Sequence, residues 1–453
     1  FNVFGQVALP YTQIDVKWWQ TPATAASTYT LPIFVGSVDA RSLFSHPGND
    51  QVPAHIGTLA SRTLQPLERR VRITASTGIG ANRRVLGSTL VSIVDEKPVA
   101  PATSVSGAVE AEGFFYAPDP SSQLACAIAG NIAMNSGGAH CLKYGVTTNN
   151  LLGVRLVRMD GTVVTLGGPW GEASGIDLLG VVCGSEGQLG VVTEAWLRIL
   201  PKPEGARPVL VGFDSNEVAG ACVADIIRAG LWPVAIEFMD RPCIRATEAF
   251  AHAGYPDCEA LLIIEVEGSE AEIAEQLARI RAIAMTHNPV EFREAADEDQ
   301  ARRIWLGRKS AFGAMGQIND YMCLDGTIPV SSLPHVLKRI GEMSREFGLD
   351  VGNVFHAGDG NMHPLILFDA NKPGDLERCE AFGAEILKLC VEVGGCLTGE
   401  HGVGVEKRDL MSVQFLPEDM EAQMRVKDVF DPKWLLNPAK VFPLGASAAR
   451  RAG

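Results

Sequence analysis

The chain has 453 residues and a formal net charge of −14 at pH 7, with 46% hydrophobic and 20% charged residues. This length suits two or three domains, and the composition is that of an ordinary globular protein rather than a disordered or fibrous one. The negative charge argues against a nucleic-acid-binding protein, because phosphate contacts require a basic surface. No run of about 18 apolar residues occurs, so no transmembrane segment is predicted.

The ten cysteines are scattered without a CxxC pair, which is typical of reduced and mostly buried thiols in a cytoplasmic protein. The start of the chain shows no signal-peptide core. We therefore expect a cytoplasmic protein, and peripheral attachment to the inner face of a membrane stays open as an alternative.

Residues 1–106 show little periodicity, and strands are predicted there only at 71–73 and 89–94. Glycine-rich turns and short strands follow from residue 109 to residue 203. A proline-containing stretch at 201–205 predicts a domain boundary. The strands predicted before that boundary are 151–157, 162–166 and 190–197.

Strands and helices alternate beyond residue 204, which predicts an α+β region with an antiparallel sheet and helices packed on one face. Two predicted helices carry an apolar stripe at helical spacing, and Ser269 is a candidate N-cap for the first of them. A third helix, at 376–392, leads into a glycine-rich loop. The stripes are Ile273, Leu277, Ile280 and Ala284 in the first helix, and Leu333, Leu337, Ile340 and Met343 in the second.

The segment from His356 to His363 contains Asp359-Gly360 between two apolar runs, which predicts a hairpin with a two-residue loop. In that register His356 faces His363. Directly opposed side chains on one face of such a pair lie about 5 Å apart at Cβ, so the two imidazoles can share one metal ion.

A second motif, Gly399-Glu400-His401-Gly402, offers a carboxylate and a further imidazole. Glu400 would complete a set of two nitrogen ligands and one oxygen ligand with open positions, as in catalytic metal sites. His401 is then a candidate base beside the metal. A polar cross-strand pair of histidines and a simple glycine-flanked turn are the alternatives for these two motifs.

Two glycine-rich segments, 118–138 and 184–193, are candidates for holding a phosphate-bearing cofactor, because successive backbone N–H groups form concave anion sites. Neither has the pattern of a Rossmann or P-loop site, and tight structural turns are the alternative. Arg308 lies on a predicted helix and is a candidate to clamp a substrate carboxylate. An ion-paired or solvated helix residue is the alternative for this arginine.

Taken together, these motifs resemble those of FAD-linked D-2-hydroxyacid dehydrogenases, which belong to the vanillyl-alcohol-oxidase-like flavoproteins. The resemblance covers about residues 109–443 and is greatest to the flavin subunit of bacterial glycolate oxidases, with D-lactate and D-2-hydroxyglutarate dehydrogenases as near relatives. The segments that carry it, in chain order, are Pro118 to Gln123, Gly130 to Gly138, Gly184 to Gly187, His356 to His363, and Gly399 to Gly404.

The resemblance implies an α+β fold, with a two-subdomain FAD-binding fold followed by an α+β cap that contains an antiparallel sheet. On this basis residues 1–203 are expected to form the FAD-binding domain, 204–410 the substrate or cap domain, and 411–453 a segment that returns to the FAD domain. Residues 1–106 match the family poorly, because its usual P-R-G-G-G-T-G-like pyrophosphate loop is not recognisable there.

The resemblance also implies roles for individual residues. His356, His363 and Glu400 match the ligands of a divalent metal, zinc or manganese. His401 matches the active-site base, and Arg308 matches a residue that holds the substrate carboxylate. The residues that match the family's FAD contacts are Pro118, Ser121, Ser122, Gly130, Asn131, Asn135, Gly137, Gly138, Gly184, Glu186, Gly187, Gly190, Val191 and Asn437.

The implied function is FAD-dependent oxidation of a small D-2-hydroxy acid, glycolate or D-lactate, to the 2-oxo acid by hydride transfer to flavin N5. Electrons would then pass to a quinone or to a partner redox protein, such as an iron–sulfur or flavin subunit of a glycolate-oxidase-like complex. The alternatives are a D-2-hydroxyglutarate dehydrogenase, a flavin-free metal-dependent hydrolase with the same His-His-Glu set, and a non-catalytic subunit of a redox complex.

Overall fold

The computed structural model divides the chain into two compact units, Phe1–Thr103 and Ser104–Gly453. In the first unit it describes the backbone of four strands. In the second it describes residues 109–110, 112–120, 126–170 and 175–446.

The first unit contains the strands β1 (Thr12–Gln20), β2 (Leu31–Asp39), β3 (Arg69–Thr77) and β4 (Arg84–Ile93). They form an antiparallel sheet in the order β2-β1-β3-β4. The strand predicted at 71–73 lies within β3, and the strand predicted at 89–94 lies on β4 as far as residue 93. Val, Ile and Thr are frequent in both strands and favour extended backbone.

A small antiparallel sheet lies near the start of the second unit, with β6 between β7 and β8, and a separate pair joins β5 to β9. The three strands predicted from the sequence coincide with those of this sheet to within about a residue. The strands are β5 (Phe114–Phe115), β6 (Leu151–Val157), β7 (Val163–Gly167), β8 (Val191–Leu197) and β9 (Leu200–Pro201). The helices are α1 (Ile128–Met134), α2 (Cys141–Tyr144) and α3 (Leu178–Val182), with a 3-10 turn at Thr147–Asn150.

A nine-stranded sheet dominates the rest of the second unit, and all of its pairings are antiparallel, as predicted. Its strands are β10 (Gly205–Phe213), β11 (Ala235–Asp240), β12 (Ala260–Gly268), β13 (Glu291–Glu294), β14 (Asp320–Cys323), β15 (Gly326–Thr327), β16 (Val351–His356), β17 (Asn361–Met362) and β18 (Pro364–Phe368). The order is β13-β10-β12-β11-β16-β17-β15, and β18 pairs with both β16 and β14.

In the described residues, eight helices accompany this sheet and the C-terminal segment. The predicted N-cap is confirmed: Ser269 and Glu272 form a capping box at the start of the first striped helix. Both predicted apolar stripes are buried along their whole length. Within the described part of the chain, no helix has the length and apolar character needed to cross a bilayer. The helices are α4 (Asn216–Arg228), α5 (Arg241–Ala251), α6 (Glu270–Thr286), α7 (Glu298–Met315), α8 (Leu333–Phe347), α9 (Asp375–Glu392), α10 (Met411–Gln414) and α11 (Pro417–Phe430), with 3-10 turns at Val330–Ser332 and Arg408–Leu410.

Helices cover both faces of the nine-stranded sheet, so the prediction of helices on one face was wrong. Helices α4, α6, α8 and α9 pack on one face, and α5 and α7 pack on the other. The physical reason lies in the central strands, because β11 is buried along all six of its residues and β12 along eight of its nine. A strand without apolar–polar alternation is typical of a sheet that is covered on both sides.

The buried Lys427 ties the C-terminal segment to the region of the small sheet. Its ammonium donates to the backbone oxygens of Gln188 and Leu436, each at 3.0 Å, and it pairs with Asp431 at 3.1 Å. Both charged residues are almost fully buried, at 1% and 0% exposure. Each charge therefore depends on the other for compensation, because neither is solvated by water.

We expect Lys427→Met to lower the free energy of unfolding by about 3 kcal/mol, because Asp431 is left buried without its counter-ion. Urea unfolding followed by tryptophan fluorescence measures this loss. Lys433→Met removes an exposed lysine from the same segment and should change stability little. Equal stability of the two variants would contradict the assigned role of Lys427.

Candidate active site

The turn between β16 and β17 determines how the two histidines of the first motif meet. His356 pairs with Asn361, so the turn contains four residues, 357–360, and the predicted register was wrong by two residues. Side chains alternate along a strand with a period of two, so a shift of two keeps both histidines on the same face. They are diagonal neighbours rather than opposed, and the ring centroids of His356 and His363 lie 5.3 Å apart.

Two hydrogen bonds account for the longer turn. Gly358 N donates to Ile236 O on β11 at 3.1 Å, which holds the turn against the neighbouring strand. Asn361 N donates to Asp359 Oδ1 at 3.2 Å, so the aspartate caps the turn instead of forming a two-residue loop with Gly360. The first of these contacts is between residues distant in the chain, and the local Asp-Gly signal does not contain it.

The predicted metal ligands lie close together: His356, His363 and Glu400. Glu400 Oε1 lies 3.6 Å from His356 Nε2 and 3.3 Å from His363 Nε2. One ligand atom from each of the three residues lies within 4.8 Å of the others. Burial alone would raise the pKa of Glu400, but the contacts with the two histidines hold it well below its ordinary value. The carboxylate is therefore anionic, which is the form that binds metal.

The donor set fits a divalent metal ion. His363 is 2% exposed, and neither of its ring nitrogens has a hydrogen-bond partner among the described residues. A buried imidazole nitrogen without a well-directed hydrogen bond is costly, whereas coordination to a metal would satisfy Nε2, which lies 3.3 Å from Glu400 Oε1. Two imidazole nitrogens and one carboxylate oxygen are the ligands of catalytic zinc and of several other transition metals. A polar cross-strand pair alone does not account for two buried ring nitrogens that make no hydrogen bond.

Glu400 also joins two distant parts of the chain. Its second oxygen, Oε2, accepts a hydrogen bond from Gly137 N at 2.9 Å. A Cβ at position 137 would lie 3.0 Å from the same oxygen, so glycine permits this close approach. The carboxylate is thus oriented from the side of the predicted FAD domain, while the histidines reach it from the large sheet.

Arg308 lies on α7, is 2% exposed and forms an ion pair with Glu237 on β11. Its Nε donates to Glu237 Oε2 at 2.8 Å, and Nη2 forms an ion pair with the same oxygen at 2.6 Å. Neither Nη1 nor Nη2 makes a well-directed hydrogen bond among the described residues. Burial would raise the pKa of Glu237, but the charges of Arg308 and His356 lower it below its ordinary value. Arg308 is therefore ion-paired, and one of its nitrogens is left for another acceptor.

His401 stacks on His363, with ring centroids 4.9 Å apart and planes inclined by 7°. Its Nε2 lies 3.8 Å from Glu400 Oε1, and 45% of its side chain is exposed. Partial burial and the nearby His363 lower the pKa of His401 below its ordinary value, against the opposing charge of Asp325. The ring is thus accessible beside the ligand cluster and favoured in its neutral form, which can accept a proton.

The conformation of the second motif depends on Asp325, which the sequence analysis did not identify. Asp325 is fully buried, and its oxygens accept hydrogen bonds from three successive backbone amides, those of residues 399, 400 and 401, at 3.1, 3.0 and 2.9 Å. Thr398 Oγ1 also donates to it, and Lys407 Nζ lies 3.0 Å away. Burial would raise the pKa of Asp325, but His363 and Lys407 lower it, so the group is anionic.

Glu237 and Asp325 lie in similar sequence surroundings. Each is the single acidic residue of a short, mostly apolar stretch that forms or adjoins a strand. The stretch is Val234 to Met239 for Glu237 and Met322 to Gly326 for Asp325. Acidic residues are rarely fully buried unless they are paired. A lone acidic residue in such a run therefore indicates a buried partner, although it does not identify that partner.

Three of the segments that match flavin contacts lie against one another. Gly184 N donates to Ile132 O at 2.8 Å and Glu186 N donates to Ala133 O at 2.7 Å, so the loop after α3 packs on α1. Asn437 Nδ2 donates to Glu186 O, which adds the C-terminal segment to this cluster. Residues separated by some 250 positions in the chain are thus gathered beside the small sheet.

The side chain of Glu186 is used within the protein. Its two oxygens accept hydrogen bonds from Val403 N at 2.6 Å and Gly404 N at 2.8 Å. The loop after α3 is thereby connected to the residues that follow His401.

The remaining predicted flavin contacts are spread around the same cluster. Gly138 lies against Pro118, since a Cβ at position 138 would be 2.1 Å from Pro118 O. Asn135 has a left-handed backbone, with φ 53°, and Gly187 has φ 67°. Ser121 and Ser122 lie outside the described residues. The others are Gly130 and Asn131 in α1, Gly190 packed on Leu156, and Val191 at the exposed start of β8.

Two family models match the chain: the FAD binding domain over residues 97–167 and the C-terminal domain of FAD linked oxidases over residues 202–441. The chain therefore belongs to the FAD-linked oxidases and is an FAD-dependent oxidoreductase. Gly137 lies in the first matched region and Glu400 in the second, so their hydrogen bond joins the two.

The chain is 51% identical over 342 residues to the glycolate oxidase subunit GlcD of Escherichia coli (strain K12), covering 75% of this chain and 68% of that protein. It is 32% identical over 339 residues to a D-lactate dehydrogenase of Archaeoglobus fulgidus, covering 73% and 72%. The solved structure of 4-ethylphenol oxidase from Gulosibacter chungangensis is similar with a TM-score of 0.61 at 14% identity, over 76% of this chain and 75% of that one, which shows the fold alone. The family resemblance and the fold class that it implied are confirmed.

We expect Asp325→Asn to destabilise the protein by about 3 kcal/mol, because Lys407 is left buried and the three amides of residues 399–401 lose an anionic acceptor. Urea unfolding measures the loss. The double variant Asp325→Asn/Lys407→Met removes the unpaired charge and should regain part of the stability. A single variant as stable as the wild type would show that the turn does not depend on this carboxylate.

Proposed function

We propose that this protein oxidises a small 2-hydroxy acid, glycolate or D-lactate, to the corresponding 2-oxo acid. The observation that carries the proposal is the His356, His363 and Glu400 cluster, which is anchored by the Gly137 amide of the region that matches the FAD binding domain. A ligand set with open positions thus lies beside that region. The similarity to a glycolate oxidase subunit and to a D-lactate dehydrogenase supports this substrate class.

In this proposal the three ligands hold a divalent metal, zinc or manganese, and the loops around α1 hold FAD. When bound, the metal supplies a Lewis acid that lowers the pKa of the substrate hydroxyl, and the flavin supplies the acceptor for two electrons. The residues proposed to contact FAD are Pro118, Ser121, Ser122, Gly130, Asn131, Asn135, Gly137, Gly138, Gly184, Glu186, Gly187, Gly190, Val191 and Asn437.

His401 takes the proton of the substrate hydroxyl. Its ring is accessible, lies beside the ligand cluster and is favoured in the neutral form, which are the requirements for a general base. The stack on His363 fixes the plane of the His401 ring. The hydrogen bond from the backbone amide of His401 to Asp325 fixes the backbone from which this side chain extends.

Arg308 orients the substrate carboxylate through the nitrogen that Glu237 leaves unpaired. A carboxylate held there and a hydroxyl held at the metal define the position of the carbon between them, which is the basis of catalysis by orientation. The buried surroundings of Arg308 strengthen this interaction, because water competes less for the guanidinium.

The domain boundaries are part of the same proposal, with 1–203 as the FAD-binding domain, 204–410 as the substrate domain and 411–453 as a segment that returns to the FAD domain. Electrons leave through a quinone or a partner redox subunit. The word "subunit" in the name of the E. coli relative supports a partner, with an iron–sulfur or flavin protein as the candidate. The cytoplasmic location stays a prediction.

Anaerobic addition of substrate to the purified flavoprotein tests the proposal. We expect glycolate or D-lactate to bleach the absorption band of oxidised flavin near about 450 nm, because the substrate delivers two electrons. D-2-hydroxyglutarate serves as the competing substrate, and bleaching by that acid alone would assign the alternative dehydrogenase activity. Bound flavin that no 2-hydroxy acid reduces would contradict the proposal.

Removal of the metal with a chelator should abolish most turnover while the flavin spectrum is retained, because the ligand cluster and the flavin loops are separate sets of residues. Zinc or manganese added back should restore activity. The measurement is turnover with an artificial electron acceptor alongside metal content. Full activity of a metal-free preparation would exclude the metal from the mechanism.

His401→Ala should lower turnover by a factor of about 100 to 10,000, the usual contribution of a general base, with flavin and metal content unchanged. His335→Ala, which removes an exposed histidine on α8, is the matched control. Normal turnover of the His401 variant would exclude this residue as the base.

A further inference from the structure

Among the described residues, Glu237 and Asp325 are the two almost completely buried carboxylates next to the proposed catalytic centre. Glu237 lies in the middle of β11, is 1% exposed, and has apolar neighbours along its strand. A carboxylate in such a position is expensive unless both oxygens have charged or hydrogen-bonding partners. The partners of its two oxygens therefore indicate the role of this carboxylate.

The two oxygens of Glu237 have different partners. Oε1 lies 2.7 Å from His356 Nδ1. Oε2 lies 2.8 Å from Arg308 Nε and 2.6 Å from Arg308 Nη2. One rigid carboxylate thus contacts both a proposed metal ligand and the proposed binding group for the substrate carboxylate.

The contact with His356 determines which ring nitrogen faces the proposed metal position. Because a carboxylate only accepts, Nδ1 donates to Glu237 Oε1, and Nε2, which lies 3.6 Å from Glu400 Oε1, is the nitrogen that would bind a metal. Carboxylates in this position orient the imidazole and increase its basicity as a ligand. The strand register fixes the contact, since Glu237 and His356 are paired residues of β11 and β16.

The contact with Arg308 determines where the guanidinium points. The hydrogen bond of Nε and the ion-pair contact of Nη2 with one oxygen of Glu237 orient the guanidinium, so Nη1, which makes no hydrogen bond among the described residues, has a defined direction. Arginine is suited to this arrangement because its nitrogens form a planar, rigid fork. A shift of the carboxylate would move the arginine and the imidazole together.

We propose that Glu237 is a positioning residue that couples the metal ligand His356 to Arg308, so that the metal-bound hydroxyl and the carboxylate of the substrate are held at a fixed separation. The inference rests on the proposed function. It assigns to Glu237 a role in both metal affinity and substrate affinity, which a purely structural ion pair with Arg308 would not have.

The test compares Glu237→Gln with Glu265→Gln. Glu265 lies on the adjacent strand β12 and is also nearly buried, but it contacts Trp305 at 2.8 Å and neither His356 nor Arg308. Zinc is titrated into chelator-treated, flavin-loaded protein, and metal affinity is measured apart from activity. KM for glycolate and D-lactate is then measured at saturating metal.

We expect Glu237→Gln to weaken zinc binding by about 10- to 100-fold and to raise KM at saturating zinc, whereas Glu265→Gln changes neither. Arg308→Lys should raise KM and leave zinc affinity near that of the wild type. In the Arg308→Lys background, Glu237→Gln should add little to KM, because both changes remove the same clamp.

Unchanged zinc affinity in Glu237→Gln would overturn the inference, and so would equal losses in Glu265→Gln, which would indicate general destabilisation. Where Glu237→Gln does not retain flavin, Glu237→Gln/Arg308→Met avoids an uncompensated buried charge, and its zinc affinity should still fall. A wild-type protein that binds no zinc or manganese would overturn the proposed function and this inference together.

Discussion

The buried carboxylate of Asp325 is the interaction on which the arrangement of the site depends. It gathers three successive amides at residues 399–401, so a stretch that would otherwise be a flexible glycine-rich loop becomes a fixed turn. Glu400 and His401 would point to opposite sides in a regular strand. In the turn, both side chains lie beside His363, one as a neighbour of its Nε2 and the other stacked on its ring. A backbone held by an anion thus brings two adjacent side chains, both with proposed roles in the site, to one cluster.

Glu237 orders a second group of side chains in the site, as Asp325 orders the loop. Asp325 orders the loop that carries Glu400, and Glu237 orders the imidazole of His356 and the guanidinium of Arg308. Both carboxylates are buried and paired with a cation, Lys407 in one case and Arg308 in the other. The site is therefore a set of buried anions that position mostly buried groups and the more exposed His401, and its rigidity comes from charge compensation in a region with little water.

Much of the fold and the ligand cluster could be predicted from the sequence, because the relevant signals are local. Alternating strands, the Ser269 cap and the apolar stripe of α6 depend on residues a few positions apart. His356, His363, Glu400 and His401 stand out because they lie in short glycine-rich motifs. The hairpin register failed because the hydrogen bond from Gly358 to Ile236 decides the turn length. Asp325 and Glu237 were missed because their partners lie at least 71 residues away in the chain, at distances that no local pattern encodes.

The hydrogen bond between Gly137 and Glu400 has a consequence for how such proteins can diversify. The two histidines come from the large sheet, but the carboxylate is oriented by an amide 263 positions earlier in the chain. The cluster of His356, His363 and Glu400 therefore depends on a contact between the two matched family regions and not on one region alone. The region matched to the C-terminal domain, transplanted onto a different FAD binding domain, would carry His356, His363 and Glu400 and still lack the amide that orients one of them. Such an exchange would require a recipient with a backbone donor where Gly137 stands in this chain.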